Sequence, residues 1–303
     1  MSGAARRFGR RGADQYQDGV PPTEAPAAIG RDHRGGDRAR HGVAEVAGRG
    51  AAGLLVLYLA VPLAAVVWRA VRQADGLDAA AVRTMRQALA LSLISSLLTL
   101  AIVVALGTPL AYLLARRRFR GARLVDALVD LPIVLPPAVA GIALLVAFGR
   151  RGVVGRWLDE IGITLGFTTA AVVLAQVFVA VPFFVRAAKG GFARVDRDLE
   201  DAAADLGASP ARVFWTVTLP LARPGLAAGL VLAWARALGE FGATIMFAGN
   251  FSGQTQTTPL AIYERYNAGD LPAALLLAVV LLAVSAAILL VTRLIGGRGA
   301  GWP

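Results

Sequence analysis

Six long apolar segments dominate the chain after residue 50. They cover about residues 51–68, 88–115, 127–148, 169–185, 226–247 and 271–295. Each has close to the roughly 20 residues that an α-helix needs to cross a hydrocarbon core of about 30 Å. Backbone polar groups in lipid must bond internally, and these segments lack the alternation of barrel strands. The pattern therefore predicts an all-α membrane protein, a bundle of six transmembrane helices.

The segments outside this apolar region divide the chain. Residues 1–50 are rich in Gly, Ala, Pro and Arg and show no sustained apolar period, which predicts a disordered tail. Residues 51–295 form the predicted membrane domain, and residues 296–303 form a short C-terminal tail. No role is assigned to the long N-terminal tail.

The positive charge of the chain follows its predicted topology. The mean hydropathy is +0.61 and the formal net charge is +11. If the N-terminus is cytoplasmic, 22 of the 31 Lys and Arg residues lie on the cytoplasmic side, counting Arg293 at the end of the sixth segment, and 8 lie on the other side. This asymmetry is the one that membrane insertion favours. It predicts cytoplasmic N- and C-termini and explains the charge without nucleic acid as a partner.

A polar stretch, residues 198–220, separates the fourth and fifth apolar segments and is predicted to form a helical hairpin. Asp198 is the predicted N-cap of its first helix, with Asp201 three residues later. The apolar residues of that helix recur at helical spacing and comprise Leu199, Ala202, Ala203 and Leu206.

The two helices of this hairpin are joined by a turn. Gly207 is predicted to end the first helix, and Ser209 with Pro210 to begin the second, which should stop at Leu219-Pro220. An isolated helix of about nine residues is marginal in water. The hairpin must therefore dock against its own membrane domain or against another protein.

Prolines interrupt the third apolar segment. Pro132, Pro136 and Pro137 lie within six residues, and each removes a backbone donor from a helix. The sequence predicts a kinked or unwound helix near the cytoplasmic end of this span. The broken segment either lines a transport pathway or is a structural kink only.

The fifth apolar segment contains an acid-base pair at helical spacing. Arg236 and Glu240 are four residues apart and can form an ion pair. The pair either fixes helix packing or contacts a substrate; Glu240 repels an anion and is better suited to organise Arg236 or a gate. Gly239 and Gly242 allow close helix approach and expose backbone N–H groups.

Several kinds of chemistry are missing from these 303 residues. There is no Cys, and both His residues, His33 and His41, lie in the predicted tail. No HExxH, GxSxG or Walker A pattern occurs, and the only lysine, Lys189, is followed by glycine. We expect no catalytic residue, no metal site and no bound cofactor in this chain.

The hairpin resembles the EAA loop of ABC importer permeases, the cytoplasmic segment that seats in a groove of the ATPase subunit. Asp201 stands where that family usually has Glu, and Gly207 follows six residues later. We call residues 198–220 the coupling hairpin. By this resemblance its contacts with the ATPase are expected at Glu200, Asp201, Ala202, Ala203, Gly207, Ala208 and Ser209.

Residues 236–250 and 253–263 are similar to the molybdate permease subunit of such importers. The ALGEFG core is shared with sulfate permeases, whereas the FGATI continuation and TTPLAIY are typical of molybdate permeases. The resemblance covers about residues 51–295. It implies pathway or gate residues at Pro136, Pro137, Arg236, Gly239, Glu240, Phe241, Gly242 and Thr244.

The resemblance implies a type I ABC importer permease-like fold in the bacterial plasma (inner) membrane. Two copies would form the pathway as a homodimer, each docking one ATPase subunit that binds ATP and Mg²⁺. A periplasmic or extracellular binding protein would deliver molybdate or tungstate. The alternatives are a sulfate or thiosulfate ABC permease and, in another class, a secondary transporter that works without an ATPase.

Overall fold

The computed structural model describes residues 34–73 and 79–296. The predicted tail residues 1–33 and the C-terminal residues 297–303 lie outside the described residues. The chain divides into two compact units, residues 1–59 and 60–303. In the first unit, the described residues 34–59 are helical and belong to a helix that begins inside the stretch predicted as a tail. Apart from this helix, the features below belong to the second unit.

Every long regular element among the described residues is helical. We number these helices in chain order: α1 (Arg34–Arg72), α2 (Ala79–Arg116), α3 (Ala122–Val134), α4 (Pro137–Phe148), α5 (Gly155–Glu160), α6 (Thr169–Ala193), α7 (Arg197–Asp205), α8 (Pro210–Val213), α9 (Leu219–Leu238), α10 (Gly242–Ala248), α11 (Thr258–Asn267) and α12 (Leu271–Gly296). A π-helical segment, Phe214–Thr218, joins α8 to α9.

Five of the described helices are long and apolar enough to cross a membrane, or up to six spans if the bent pair α3 and α4 counts as one. The five comprise Gly48–Arg72, Val82–Arg116, Thr169–Ala193, Pro210–Leu238 and Leu271–Leu290. At a rise of about 1.5 Å per residue, each is at least as long as the hydrocarbon core of about 30 Å. The predicted all-helical membrane fold is therefore confirmed.

Helix α6 is the centre of the second unit and packs against both α2 and α9. Phe184 and Phe192 of α6 are fully buried in this core. Helix α9 approaches closely through glycine, since a Cβ at Gly225 would lie 2.5 Å from the Cα of Gly191. Small residues permit such contact between helices in a membrane, where packing rather than the hydrophobic effect drives association.

Hydrogen bonds from one face of α2 join it to three other elements. Ser92 Oγ donates to Thr258 Oγ1 of α11 at 3.1 Å. Ser96 Oγ accepts a hydrogen bond from the indole of Trp234 in α9, also at 3.1 Å. Thr99 Oγ1 donates to Gln176 Oε1 of α6 at 3.0 Å. These hydroxyls lie at helical spacing and link α2 to α11, α9 and α6 by hydrogen bonds.

The third predicted span is unwound at the predicted prolines, which divide it into two helices. Helices α3 and α4 are bent by 120° at Leu135 and Pro136, whose ψ angles are 132° and 134°. Both residues precede a proline, which disfavours the helical region for the residue before it. Pro137 then starts α4 at its first position, where its missing N–H costs nothing. Pro132 lies inside α3.

The predicted end of the hairpin at Leu219-Pro220 is wrong. The helical path continues from Pro210 through the π-helical segment into α9, and Pro210–Leu238 is one candidate span. The N–H of Leu219 reaches the carbonyl of Phe214, five residues earlier. This wider turn accommodates Pro220, which has no N–H, in the first turn of α9. The second arm of the hairpin is thus continuous with a membrane helix.

Candidate functional site

The first helix of the coupling hairpin, α7, begins two residues earlier than predicted. Its N-cap is Asp196, whose side chain accepts a hydrogen bond from the N–H of Asp198 at 3.1 Å. Asp198 was predicted as the cap but lies in the first turn, where its negative charge interacts favourably with the positive end of the helix dipole. An aspartate serves either position, and the following sequence does not distinguish them.

The turn of the hairpin has the predicted chemistry. Gly207 has φ +85° and lies just past the end of α7. The N–H of Gly207 donates to the carbonyl of Ala204 at 2.8 Å, and the N–H of Ala208 donates to that of Ala203 at 3.1 Å. This pair of bonds is a Schellman motif. Ser209 then caps α8 by accepting from the N–H of Arg212 at 3.4 Å.

One face of the hairpin is exposed despite its apolar residues. Leu199 is 51% exposed and Leu206 is 90% exposed. Asp201, Ala202 and the turn at Gly207 are also exposed, whereas Ala203 and Ala208 are half-buried. The predicted apolar stripe therefore lacks a partner among the described residues and is available to another protein.

Glu200 points to the opposite side of α7 from this surface. Its Oε1 accepts hydrogen bonds from Nη2 of Arg116 at 3.1 Å and from Oγ1 of Thr218 at 2.5 Å. The side chains of Arg116 and Glu200 are 8% and 17% exposed. The structure thus separates Glu200 from its neighbour Asp201, although the sequence placed both on the ATPase side.

Two further ion pairs join α3 to α6. Asp126 Oδ1 lies 2.6 Å from Nζ of Lys189, and Asp130 Oδ2 lies 2.5 Å from Nη2 of Arg186. No residue of α3 is fully buried. The ion pairs therefore add to the packing of partly buried residues such as Val129 in attaching α3 to the bundle.

The predicted pair in the fifth apolar segment forms. Arg236 Nη1 lies 2.5 Å from Glu240 Oε2; the side chain of Arg236 is 28% exposed and that of Glu240 is 1% exposed. The other oxygen of Glu240 accepts the N–H of Ala243 at 2.7 Å and so caps the start of α10. Glu240 is buried, with Oε1 hydrogen-bonded and Oε2 held in the ion pair without a hydrogen bond, while the side chain of Arg236 is partly exposed.

The segment predicted as one span, residues 226–247, is broken at this pair. Helix α9 ends at Leu238, and α10 begins at Gly242. Glu240 compensates for the break because it satisfies a donor at the start of α10 that the helix cannot satisfy itself. Gly239 is the C-cap of α9, and its N–H remains bonded to the carbonyl of Ala235 at 3.2 Å.

The broken fifth segment packs directly on the broken third span. A Cβ at Gly242 would lie 2.6 Å from Cβ of Pro137, and a Cβ at Gly141 would lie 2.6 Å from Cβ of Met246. Helices α4 and α10 thus meet through glycines on both sides. The structure brings together Pro137 and Gly242, two residues that the sequence singled out independently.

The remaining predicted pathway residues surround this contact. The ring of Phe241 packs on that of Tyr263 in α11, with centroids 5.1 Å apart. Thr244 is fully buried, and its hydroxyl has no hydrogen-bond partner among the described residues. Pro136 is exposed at the bend between α3 and α4. No group of three or more acidic, His or Cys residues in the described part of the chain could hold a metal ion.

The loop between α4 and α6 is organised by an aspartate. Asp159 Oδ2 lies 3.0 Å from Nε of Arg150, and its Oδ1 accepts from the hydroxyl of Thr164 at 3.0 Å. Hydrogen bonds from Arg150, and then from Thr164, hold the pKa of Asp159 below its ordinary value. By the predicted topology this loop lies on the side opposite the coupling hairpin.

A multi-pass helical bundle with broken, glycine-packed helices and an exposed helical hairpin is the architecture of a membrane transport protein. The chain belongs to the family described as binding-protein-dependent transport system inner membrane component, whose model matches residues 107–298. It is a multi-pass membrane protein and a member of a family of transport subunits.

Two relatives and one solved structure place it more finely. The chain is 49% identical over 203 residues to the molybdenum transport system permease protein ModB of Mycobacterium tuberculosis, which covers 67% of this chain and 76% of the relative. It is 37% identical over 203 residues to a probable sulfate transport system permease protein of Nephroselmis olivacea, which covers 67% of this chain and 72% of the relative.

The solved structure is a bacterial alginate ABC transporter in complex with an alginate pentasaccharide-bound periplasmic protein. Its matching chain has a TM-score of 0.68 at 17% identity, with 86% of this chain and 96% of that chain covered. At that identity the likeness concerns the fold alone. It confirms the predicted type I ABC importer permease fold.

Proposed function

We propose that this chain is the membrane-spanning permease subunit of an ATP-driven importer for molybdate, with tungstate as a second substrate. The observation that carries the proposal is the 49% identity to a molybdenum permease, against 37% to a sulfate permease over the same length. The FGATI and TTPLAIY stretches, which the sequence associates with molybdate, lie at the contact between α10 and its neighbours.

The energy source is assigned to a separate ATPase subunit that binds ATP and Mg²⁺. The 303 residues contain no Walker A pattern. The exposed face of the coupling hairpin, with Leu199, Asp201 and Leu206, offers an apolar and acidic surface for that subunit. The coupling contacts comprise Asp201, Ala202, Ala203, Gly207, Ala208 and Ser209. Glu200 belongs to the hairpin but is turned away from this surface.

The transport pathway is assigned to the interface of a homodimer. ATP-driven closure of two ATPase subunits would draw the two hairpins together and rock the bundles from inward-open to outward-open. A periplasmic or extracellular binding protein would then deliver the anion. This arrangement places the permease in the bacterial inner membrane with both termini in the cytoplasm, in agreement with the charge asymmetry.

The residues around the α4 and α10 contact are suited to guide an anion. Arg236 supplies positive charge and keeps 28% of its side chain exposed, whereas Glu240 is buried and turned into a cap. A negatively charged substrate would therefore meet the positive charge of Arg236, while the carboxylate of Glu240 is buried away from it. Gly242 and Pro137 hold α10 against α4, so both helices are expected to move together as a gate.

Stimulation of ATP hydrolysis tests the substrate assignment. The permease and its ATPase are reconstituted in lipid, and the binding protein is added empty or loaded with molybdate, tungstate or sulfate. We expect stimulation with molybdate and tungstate and none with sulfate. Stimulation by sulfate would move the substrate to the sulfate and thiosulfate class while the importer mechanism stands.

A further inference from the structure

We propose that Glu200 is a positioning residue that transmits movement of the coupling hairpin to α2 and α9, rather than a contact with the ATPase. This inference rests on the proposed function of the hairpin. It assigns to Glu200 a different task from that of Asp201, its neighbour in sequence.

The first connection runs from the hairpin to the end of α2. Arg116, the last residue of α2, donates from Nη2 to Glu200 and also to the carbonyl of Val195 at 2.8 Å. In return, Nη2 of Arg197 donates to the carbonyl of Arg116 at 3.4 Å. Because the bonds run in both directions, the start of α7 cannot shift without either moving α2 or losing several of them.

The second connection runs from the hairpin to α9. Thr218, the last residue of the π-helical segment, is 1% exposed and donates its hydroxyl to the same oxygen of Glu200. The π-helical segment leads directly into α9, which carries Arg236 near its other end. A single carboxylate therefore links the first arm of the hairpin to the helix that contains the proposed pathway residues.

An aromatic cluster one turn away makes this junction stiff. Tyr112 of α2 makes edge contacts with Phe192 of α6 at 5.4 Å and with Phe214 of the π-helical segment at 5.1 Å. Arg116 follows Tyr112 by four residues and so lies on the same face of α2. Close-packed interiors deform little, so a displacement at Glu200 is transmitted to α2, α6 and the π-helical segment.

The burial of the charges explains why a neutral side chain would not serve as well. Coulomb attraction between Arg116 and Glu200 is stronger where water is excluded, and both side chains are largely buried. Asp201 is exposed, and its side chain has no hydrogen bond or ion pair among the described residues. The two adjacent carboxylates thus face two different environments, one inside the permease and one open to a partner.

The test compares Glu200→Gln with Asp201→Asn in the complete permease–ATPase complex in liposomes, with molybdate as the transported anion. Two quantities are measured: the affinity of the ATPase for the permease and the number of anions moved per ATP hydrolysed. For Glu200→Gln we expect unchanged affinity and a fall of about 2- to 30-fold in anions per ATP, the range of mutations that alter coupling. For Asp201→Asn we expect weaker ATPase binding.

Two results would overturn the proposal. One is loss of ATPase affinity in Glu200→Gln to the same degree as in Asp201→Asn, which would make Glu200 a docking residue. The other is an unchanged number of anions per ATP at normal affinity. A wild-type complex without ATP-dependent molybdate uptake would instead count against the proposed function, because the affinity measurement does not depend on the substrate.

A second variant covers the case in which Glu200→Gln does not assemble. Thr218→Val keeps the shape of the side chain and the ion pair but removes the link to α9. We expect normal ATPase affinity and a smaller fall in anions per ATP, and no fall at all would overturn the proposal. In the double variant Glu200→Gln/Thr218→Val, the fall should not exceed that of Glu200→Gln alone, because both changes break one linkage.

Discussion

Replacement of Glu240 by alanine should destabilise the bundle more than the loss of any exposed ion pair. The substitution leaves Arg236 without its partner and removes the acceptor that caps α10. Removal of one partner of a buried pair costs about 3–5 kcal/mol, and the lower end applies because the side chain of Arg236 is 28% exposed. Loss of a cap adds about 1 kcal/mol. We expect about 3–4 kcal/mol in total.

Asp270 offers a matched control. It also pairs with an arginine, Arg265, at 3.4 Å, and it also caps a helix by accepting from the N–H of Ala273 at 3.2 Å. Its side chain and that of Arg265 are 38% and 29% exposed. An exposed pair contributes about 0–1 kcal/mol and the cap about 1 kcal/mol. Asp270→Ala should therefore cost about 1–2 kcal/mol.

Equilibrium unfolding in mixed micelles, followed by tryptophan fluorescence, measures both variants. We expect the free energy of unfolding of Glu240→Ala to be about 2 kcal/mol lower than that of Asp270→Ala. Glu240→Gln should recover about 1 kcal/mol of it, because an amide oxygen still accepts the N–H of Ala243. Equal stability of Glu240→Ala and Asp270→Ala would refute the reasoning, since it would show that burial of the carboxylate adds nothing.

Three further variants or conditions test other parts of the structure. Gly207→Ala should cost about 1–2 kcal/mol and reduce uptake, because only glycine adopts φ +85° without strain. Gly242→Ala should cost about 1–3 kcal/mol in unfolding experiments, since its Cβ would lie 2.6 Å from Pro137. The lowered pKa of Asp159 adds stability that is complete above its unfolded pKa of ~3.9 and is lost as pH falls through the lower folded pKa. Arg150→Gln removes the main cause of the lowered pKa, so the loss of stability should begin at higher pH. Amide hydrogen exchange of the loop, measured as a function of pH, follows this loss.

Both glycine substitutions have a comparison within the chain. Gly190→Ala lies in a helix with open space around the new Cβ and should be neutral or stabilising, unlike Gly207→Ala. Gly239→Ala brings its Cβ only to 3.5 Å from a carbonyl oxygen and should be tolerated better than Gly242→Ala. The same effect in both members of either pair would contradict the assigned geometry. Unchanged exchange in Arg150→Gln would contradict the role of Asp159.

The sequence predicted those features that depend on local chemistry. Segment length and apolarity located the spans, because only a helix satisfies its own backbone in lipid. Gly207, Ser209 and Pro210 located the turn of the hairpin, because each fills a position that few other residues fill. The helical spacing of Arg236 and Glu240 predicted their pairing.

Other features depend on contacts between distant segments and were missed. The break between α9 and α10 was missed because the residues after Glu240 are apolar and look like a continuing helix. Glu240 makes the break possible by accepting the N–H of Ala243, but the sequence assigned Glu240 only to its pair with Arg236. The hydroxyl stripe of α2 was overlooked, although Ser92, Ser96 and Thr99 recur at helical spacing and could have been found. Burial of Arg116 has no such local signal, because it is one of several arginines at the end of a span.

The most direct test of the account is the accumulation of radiolabelled molybdate in proteoliposomes that contain the permease and its ATPase, with the loaded binding protein outside and ATP on the ATPase side. The account predicts accumulation that requires hydrolysable ATP and is insensitive to agents that collapse ion gradients. Accumulation by the permease alone, driven by an ion gradient without any ATPase, would contradict it and favour a secondary transporter.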